Sequence, residues 1–200
     1  MMLFAIERLA ADPDTEVLVL VSKPPAESVA RRVLEAARAT GKPVVVNFLG
    51  GDHAVAREAG AIGASTLEDA ARLAVAVARG RMPVGMGIDT LAADLLAAAD
   101  SARASLQSQQ RMVRGLYSGG TLCSEADLIL KQLLDAESFS VIDLGEDEYT
   151  VGRPHPMIDF RLRNEQIVAA AEDPTTAVIL LDLVLGYGSG EGNSPYGAGW

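Results

Sequence analysis

Cysteine is almost missing from this chain. Cys123 is the only one, so no disulfide can close within it, and a reducing compartment, the cytoplasm, is expected. Aromatic residues make up 4%, which leaves an aliphatic, alanine-rich core. Positive charge is short: 17 Lys and Arg stand against 27 Asp and Glu, a formal net charge of −10. That balance argues against duplex nucleic acid or an anionic membrane surface as partner. It still permits an anion to be bound locally by backbone N–H groups. No uninterrupted apolar run reaches the length of a membrane span. Met1–Ala11 carries Glu7 and Arg8 within a short apolar stretch, unlike a signal peptide. What the chain does have is 49% hydrophobic residues over 200 positions, enough to bury a sizeable core in one large domain or two small ones.

A repeat is the first positive feature. Residues 12–21 read "DPDTEVLVLV" and residues 173–182 read "DPTTAVILLD". Each follows an Ala-rich run opening with Ile, "IERLAA" at 6–11 and "IVAAAE" at 167–172, so the offset is 161 in both places. Around the first copy, the pattern predicts a helix over 1–11 ended by Asp12-Pro13 and a strand over 17–21, whose continuous apolar run suggests burial on both faces. It then predicts a helix over 26–40, a buried strand over 44–49, a short helix over 54–59, and a helix capped by Ser65 or Thr66 running to Arg79. Residues 80–110 read as a linker, with 91–110 helical. Around the second copy the expectation is a strand over 112–117, a tight "SGGT" turn, a helix over 122–135 and a strand over 139–144. A long loop then leads to a helix over 163–172 and a strand over 177–185, followed by a loose tail from Gly186. Strands alternating with helices imply α/β architecture with parallel sheets. Much follows the motif in the first copy and little in the second. The chain therefore reads as the back of one module joined to the front of another, as a piece of a longer protein would.

Four places offer chemistry. "YSGGTLCSEA" (117–126) is a strand, a glycine turn and a helix start, which aims free N–H groups and a positive helix end at one point. A phosphate or carboxylate held by Ser118, Gly119, Gly120, Thr121 and Leu122 competes there with a plain turn capped by Thr121. It lacks the Lys-Ser/Thr ending of a Walker A loop and is not a full dinucleotide fingerprint. Cys123, in the first helical turn, reads as a small buried residue rather than a nucleophile. "GEDEYTVGRPHPMID" (145–159) holds His155 between two prolines, with Arg153 two residues earlier. Arg suits carboxylate or phosphate recognition and His suits proton transfer, in a loop at the carboxyl end of a parallel strand where ligands bind. The acidic cluster Asp143, Glu146, Asp147 and Glu148 reads as a solvated face before a Mg²⁺ site, and no metal is expected. In "NFLGGDHAVAREAGAIGAS" (47–65) the Gly50-Gly51 turn repeats the anion-site geometry, and His53 reads as a helix-start residue.

These residues resemble a known family. Segment 5–79, through "DPDTEVLVLV", "GKPVVVNFLGG" and "AGAI", resembles part of the ligase domain of the succinyl-CoA synthetase α subunit. Segment 112–185, through "GGTL", "VIDLGED" and "DPTTAVILLDLVLG", resembles the corresponding domain of the β subunit. The fused order, with "RGLYSGGTLCSEA" and "DEYTVGRPHPMID", resembles the FdrA family of acyl-CoA synthetase-like proteins over most of residues 1–188. The resemblance implies two flavodoxin-like, ligase-type parallel-sheet modules. One spans 1–79 and lacks its first strand; the other spans 111–188 and lacks its last part. The linker is 80–110 and the tail 189–200.

For chemistry, the resemblance implies an anion site made by facing helix ends. The α-subunit family carries a phosphorylated histidine in Gly-His-Ala-Gly-Ala-Ile; here that stretch is Arg57-Glu58-Ala59-Gly60-Ala61-Ile62. Glu58 takes the histidine's place, and a carboxylate is no stable phosphoryl carrier, although an acyl phosphate is chemically allowed. His53 lies five residues upstream and does not inherit the role. The leading expectation is a carbamoyl or acyl transferase subunit that uses carbamoyl phosphate with a small carboxylate such as oxamate, in purine or allantoin nitrogen breakdown. Its site would comprise His155 and Arg153, the 118–122 turn, and Gly50 and Gly51. The alternatives are an acid–CoA ligase lacking the phosphohistidine, with CoA and a nucleotide as cofactors, and a non-catalytic assembly module. The partners implied are a small anion and either a second copy or partner subunits.

Overall fold

Proline and glycine bracket the valine-rich runs, and each run becomes a parallel strand. A computed structural model describes residues 1–81 and 93–184, which fall into two compact units, Met1–Ala92 and Ala93–Trp200. The first contains α1 (Met2–Ala11), β1 (Leu18–Ser22), α2 (Glu27–Ala39), β2 (Val44–Phe48), α3 (His53–Glu58), β3 (Ile62–Gly63) and α4 (Leu67–Ala78). Its sheet runs β1-β2-β3, all parallel. Helix α2 buries Ala30, Val33, Leu34 and Ala37, the helical spacing that makes one apolar face. With Ile6 of α1 and Ala56 of α3, that face covers Leu18, Leu20 and Val46 on one side of the sheet. Ala70 and Leu73 of α4 cover Val45 on the other.

The second unit contains α5 (Ala93–Ser105), β4 (Met112–Tyr117), α6 (Gly120–Leu133), β5 (Phe139–Asp143), α7 (Asp147–Thr150), α8 (Arg161–Glu172) and β6 (Thr176–Leu181). Its sheet order is β5-β4-β6, again all parallel, with β4 central. The chain leaves β4 through α6 to reach β5 on one side, then returns through α8 to β6 on the other. Right-handed crossovers in opposite directions put α6 and α8 on opposite faces. A crevice therefore opens at the carboxyl end of β4, the switch point where ligands bind in open α/β sheets.

The sequence repeat is a structural repeat. Both α1 and α8 end on an aspartate with extended backbone, Asp12 (φ −79°, ψ 118°) and Asp173 (φ −71°, ψ 114°). Asp12 accepts from the Thr15 hydroxyl at 2.5 Å, and Asp173 accepts from the Thr175 N–H and hydroxyl at 2.8 and 2.7 Å. A basic residue pins each corner. Lys42 Nζ donates to the Leu9 and Asp12 carbonyls, whereas Arg114 of β4 donates to Asp173 at 2.9 Å. Since β1 and β6 are the same strand of the repeat, the two topologies can be laid on each other: β5-β4-β6 continues as β1-β2-β3. The sum is the flavodoxin order 2-1-3-4-5, of which each unit carries three strands. Both sheets are flavodoxin-like α/β, as the resemblance implied.

Several boundaries differ from expectation. β1 is not buried on both faces, because Val19 and Val21 are exposed. Helix α6 starts at Gly120, not Leu122, with Gly119 as its N-cap, so Thr121 lies inside the first turn and caps nothing. The two-residue β3 and the single turn α7 were too short to leave a periodic signal. β6 ends at Leu181; Leu185 and the tail from Gly186 lie outside the described residues, as do 82–92 of the expected linker.

One buried interaction locks the second sheet. Asp182, just past β6, reaches across to the end of β4, where its two oxygens accept from the N–H groups of Ser118 (2.8 Å) and Gly119 (2.7 Å). Arg163 of α8 lies 3.6 Å from the same carboxylate and donates to the Asp182 carbonyl and, at 3.2 Å, to the Ser118 hydroxyl. Ser118, Asp182 and Arg163 are all at least nine-tenths buried. Gly119 is required here, since a Cβ would stand 2.9 Å from the Asp182 Oδ2.

Asp182→Asn replaces a two-acceptor anion by an amide whose NH₂ faces a backbone donor and removes the carboxylate charge 3.6 Å from Arg163. It is expected to cost about 3–5 kcal/mol, read as a fall in the urea midpoint of the second unit. The outer corner carries a pH dependence. Hydrogen bonds from Thr175 and then Arg114 hold the Asp173 carboxyl at about 2, below the ordinary 3.8. A lowered carboxyl contributes its stability in full above 3.8 and loses it as pH falls through about 2. Asp173→Asn should therefore lower the urea midpoint at pH 7, with the gap to wild type closing between pH 3.8 and about 2; a gap that persists at the acid end would refute the account.

Candidate functional site

The β4–α6 turn lies at the switch point, and its N–H groups divide into two sets. Those of Ser118 and Gly119, expected to hold a substrate anion, hold the protein's own Asp182 carboxylate. Those of Gly120, Thr121 and Leu122 precede the first intrahelical bond, from Cys123 N to Gly119 O at 3.0 Å, and donate to no described residue. Thr121 and Leu122 are exposed and Gly120 half-buried. The positive end of a 14-residue helix therefore faces solvent with three unspent donors. Cys123 is buried beneath them, as its type predicts. Burial pushes the Tyr117 phenol up, with smaller contributions from Cys123 and Asp182, so it stays protonated beside the turn.

The long loop after β5 comes back to this turn. The His155 Nε2 lies 2.6 Å from the point that a Gly145 Cβ would occupy, and the Ser118 carbonyl oxygen lies 2.9 Å from that same point. Only glycine at 145 lets the imidazole lie against the end of β4. His155 Nδ1 accepts from the Met157 N–H at 3.2 Å, which leaves the proton of the neutral ring on Nε2. Nε2 has no hydrogen-bond partner among the described residues. Pro154 and Pro156 flank the histidine, Pro156 buried, and the Ile158 and Asp159 N–H groups donate to the His155 carbonyl at 2.8 and 3.0 Å. The ring is therefore held from both sides. Arg153 is exposed and has no ion pair among the described residues; its backbone N–H donates to Thr150 O at 3.1 Å.

The acidic cluster does not converge. Asp143 Oδ1 accepts from the Gly145 N–H at 2.9 Å, while Glu146, Asp147 and Glu148 face solvent. Among the described residues no group of three or more His, Cys, Asp and Glu side chains could hold a metal ion.

In the first unit the Gly50-Gly51 expectation meets occupied groups. The Gly51 N–H donates to Phe48 O at 2.7 Å, and the Asp52 carboxylate already caps the six-residue α3 through the Ala54 N–H at 2.7 Å. His53 opens that helix, and its ring lies 3.1 Å from where a Gly63 Cβ would stand. Glu58 is the last residue of α3, exposed and 4.0 Å from Arg31. With Arg31, Glu35 and Arg38 it lines a cavity of about 370 Å³. The Glu58 carboxylate thus belongs to a helix end and a salt-bridged surface.

Three residues of the second-unit site were not foreseen: Asp182, Arg163 and Gly145. Asp182 had a signal. It stands where the first copy has Val21, a charge ending an apolar run that its twin finishes with valine.

The comparisons cover this region. Residues 116–193 match the CoA-ligase family, a span that opens at the end of β4 and takes in the turn, the His155 loop, α8 and β6. The chain is also similar to YahF, an uncharacterized protein of Escherichia coli (strain K12), at 41% identity over 210 residues. That alignment covers 96% of this chain and 40% of the relative, so the chain spans well under half of the curated protein it matches. Among the described residues, no helix is long and apolar enough to cross a membrane. From the end of β4 onward, the second unit is similar to the CoA-ligase family.

Proposed function

We propose that this chain supplies the anion-binding half of a group-transfer site, at which an activated small anion such as carbamoyl phosphate or an acyl phosphate gives up its carbamoyl or acyl group. The observation that carries this reading is the pairing of two sets of atoms, unspent among the described residues, in a region that matches the CoA-ligase family. The N–H groups of Gly120, Thr121 and Leu122 are free at the start of α6, and His155 Nε2 is free beside the same turn. A phosphate or carboxylate at that helix end would be stabilised by the donors and the helix dipole. Arg153, exposed two residues before His155 and without an ion pair among the described residues, would neutralise the second charge of such a ligand. His155, with its proton on Nε2, would donate a hydrogen bond to the departing phosphate or orient the acceptor carboxylate, oxamate being one of suitable size.

The second reading is acid–CoA ligation with CoA and a nucleotide. The family match favours it, since CoA ligation is the chemistry for which that family is named. The state of Glu58 favours the first. An exposed carboxylate at a helix end offers no stable phosphoryl carrier, so an activated phosphate delivered ready-made suits the site better than one passed through the enzyme. The readings are told apart by whether the full-length protein consumes CoA with ATP or GTP, or transfers carbamoyl from carbamoyl phosphate without them.

Phosphate titrated into ¹⁵N-labelled protein should shift the amide resonances of Gly120, Thr121 and Leu122 and leave those of Ser118 and Gly119, already bonded to Asp182, nearly unmoved. Equal shifts in both sets, or in neither, would remove the basis of the reading. In the full-length protein, His155→Ala should lower turnover by roughly 10²- to 10³-fold, the range for a lost hydrogen-bond donor to developing negative charge. Arg153→Ala should raise the KM for carbamoyl phosphate; unchanged kinetics in either variant would exclude that residue from its role.

A further inference from the structure

The first unit has a groove at the amino end of its sheet. Two cavities, of about 370 and 190 Å³, lie along α2 and share Leu34, Arg38 and Ala59 in their walls. The larger also takes in Val55 and Glu58 of α3. The smaller reaches Gly41–Val44 and Gly60–Ala61, the residues that lead into β2 and β3. Ligands of open parallel sheets bind at the carboxyl ends of the strands, so this groove belongs to no site expected of the fold.

Most of its polar groups are already used. The Gly41 N–H donates to Arg38 O at 3.1 Å, the Lys42 N–H to the Thr40 hydroxyl at 3.2 Å, and the Gly60 and Ala61 N–H groups to Arg57 O and Ala56 O, both at 2.9 Å. Lys42 Nζ is spent on the Leu9 and Asp12 carbonyls. Arg31 is held by Glu27 at 2.8 Å and lies 4.0 Å from Glu58. Two charged side chains remain. Arg38 and Glu35 both line the larger cavity, and neither has an ion pair among the described residues. They stand three apart on α2, on one side of the helix. Leu34, 2% exposed, is the apolar floor beside them. An unspent cation and an unspent anion thus flank one apolar surface.

From this we infer that the groove is a binding site for a small zwitterion with an apolar body, the chemistry of a free amino acid with an aliphatic side chain. The carboxylate of the ligand meets the Arg38 guanidinium, whose planar fork suits it. Its ammonium meets the Glu35 carboxylate. Its side chain lies toward the smaller cavity, which Arg38 also lines. An acid or amide side chain would find no further donor there to replace its water. A dicarboxylate would face Glu35 and Glu58, and a diamine would face Arg31 and Arg38. The charge pattern therefore selects one charge of each sign. The site uses no residue of the second unit, and it stands whether or not the group-transfer reading of that unit holds.

The test is a titration of L-leucine into the ¹⁵N-labelled chain. The amides of Arg38, Gly41 and Gly60 should shift together and saturate, with a Kd at or below about 1 mM. Those of Asn47 and Ser65, toward the carboxyl end of the same sheet, should stay nearly unmoved. Leucinamide lacks the carboxylate and isocaproate lacks the ammonium. Each should bind roughly three- to tenfold more weakly, the range between an exposed ion pair and a hydrogen bond to a charge. Arg38→Gln and Glu35→Gln should each weaken L-leucine by a similar factor. Both side chains are exposed, so the far-UV circular dichroism of each variant should match the parent. Three results would overturn the inference: no saturable shift, isocaproate bound as tightly as L-leucine, which would make the groove a plain anion site, or L-leucine binding unchanged by either substitution.

Discussion

A single buried carboxylate organises the second unit. Asp182 ends an apolar strand, yet its side chain is withdrawn from water, and such a group is stable only when its lone pairs are met. Two backbone N–H groups at the end of β4 and the guanidinium of Arg163 meet them. The consequences spread outward. β6 is tied to β4 at the carboxyl end, α8 is tied to both through Arg163, and the glycine turn is fixed in the conformation that launches α6. Gly119 follows from the same constraint, since the carboxylate takes the space a side chain would need.

That arrangement also decides what the turn offers to a ligand. A glycine turn between a parallel strand and a helix presents a row of donors, but a donor already paired with a buried anion binds nothing else. The inner two serve the fold and the outer three serve the surface. His155 joins the outer three because Gly145 leaves room for its ring, and the Met157 N–H leaves Nε2 outward as the remaining polar atom. Structure and candidate chemistry share one turn, separated by one residue.

Much of the fold was legible because its signals are local. The Val-rich runs, the Asp-Pro corners and the apolar spacing of α2 each depend on a few neighbouring residues, and all appear close to where the pattern placed them. The 161-residue repeat carried further, from spacing to a shared corner with matching backbone angles. What failed was either short or long-range. β3 has two residues and α7 four, too few for periodicity to register. Thr121 looked like a cap by type, but the strand end is held from 64 residues away, and the helix begins at Gly120 instead.

The sequence by itself determined the α/β class, the doubled motif, the position of the glycine turn and the candidacy of His155, because periodicity, turn chemistry and repetition are properties of contiguous residues. Only the tertiary structure decided which donors remain for a ligand, and why the two copies of one strand differ in exposure. Those depend on what stands beside each strand. A valine and an aspartate at equivalent positions read as a small difference in the chain, and whether a strand end is bare or occupied follows from whether another strand and its turn stand beside it.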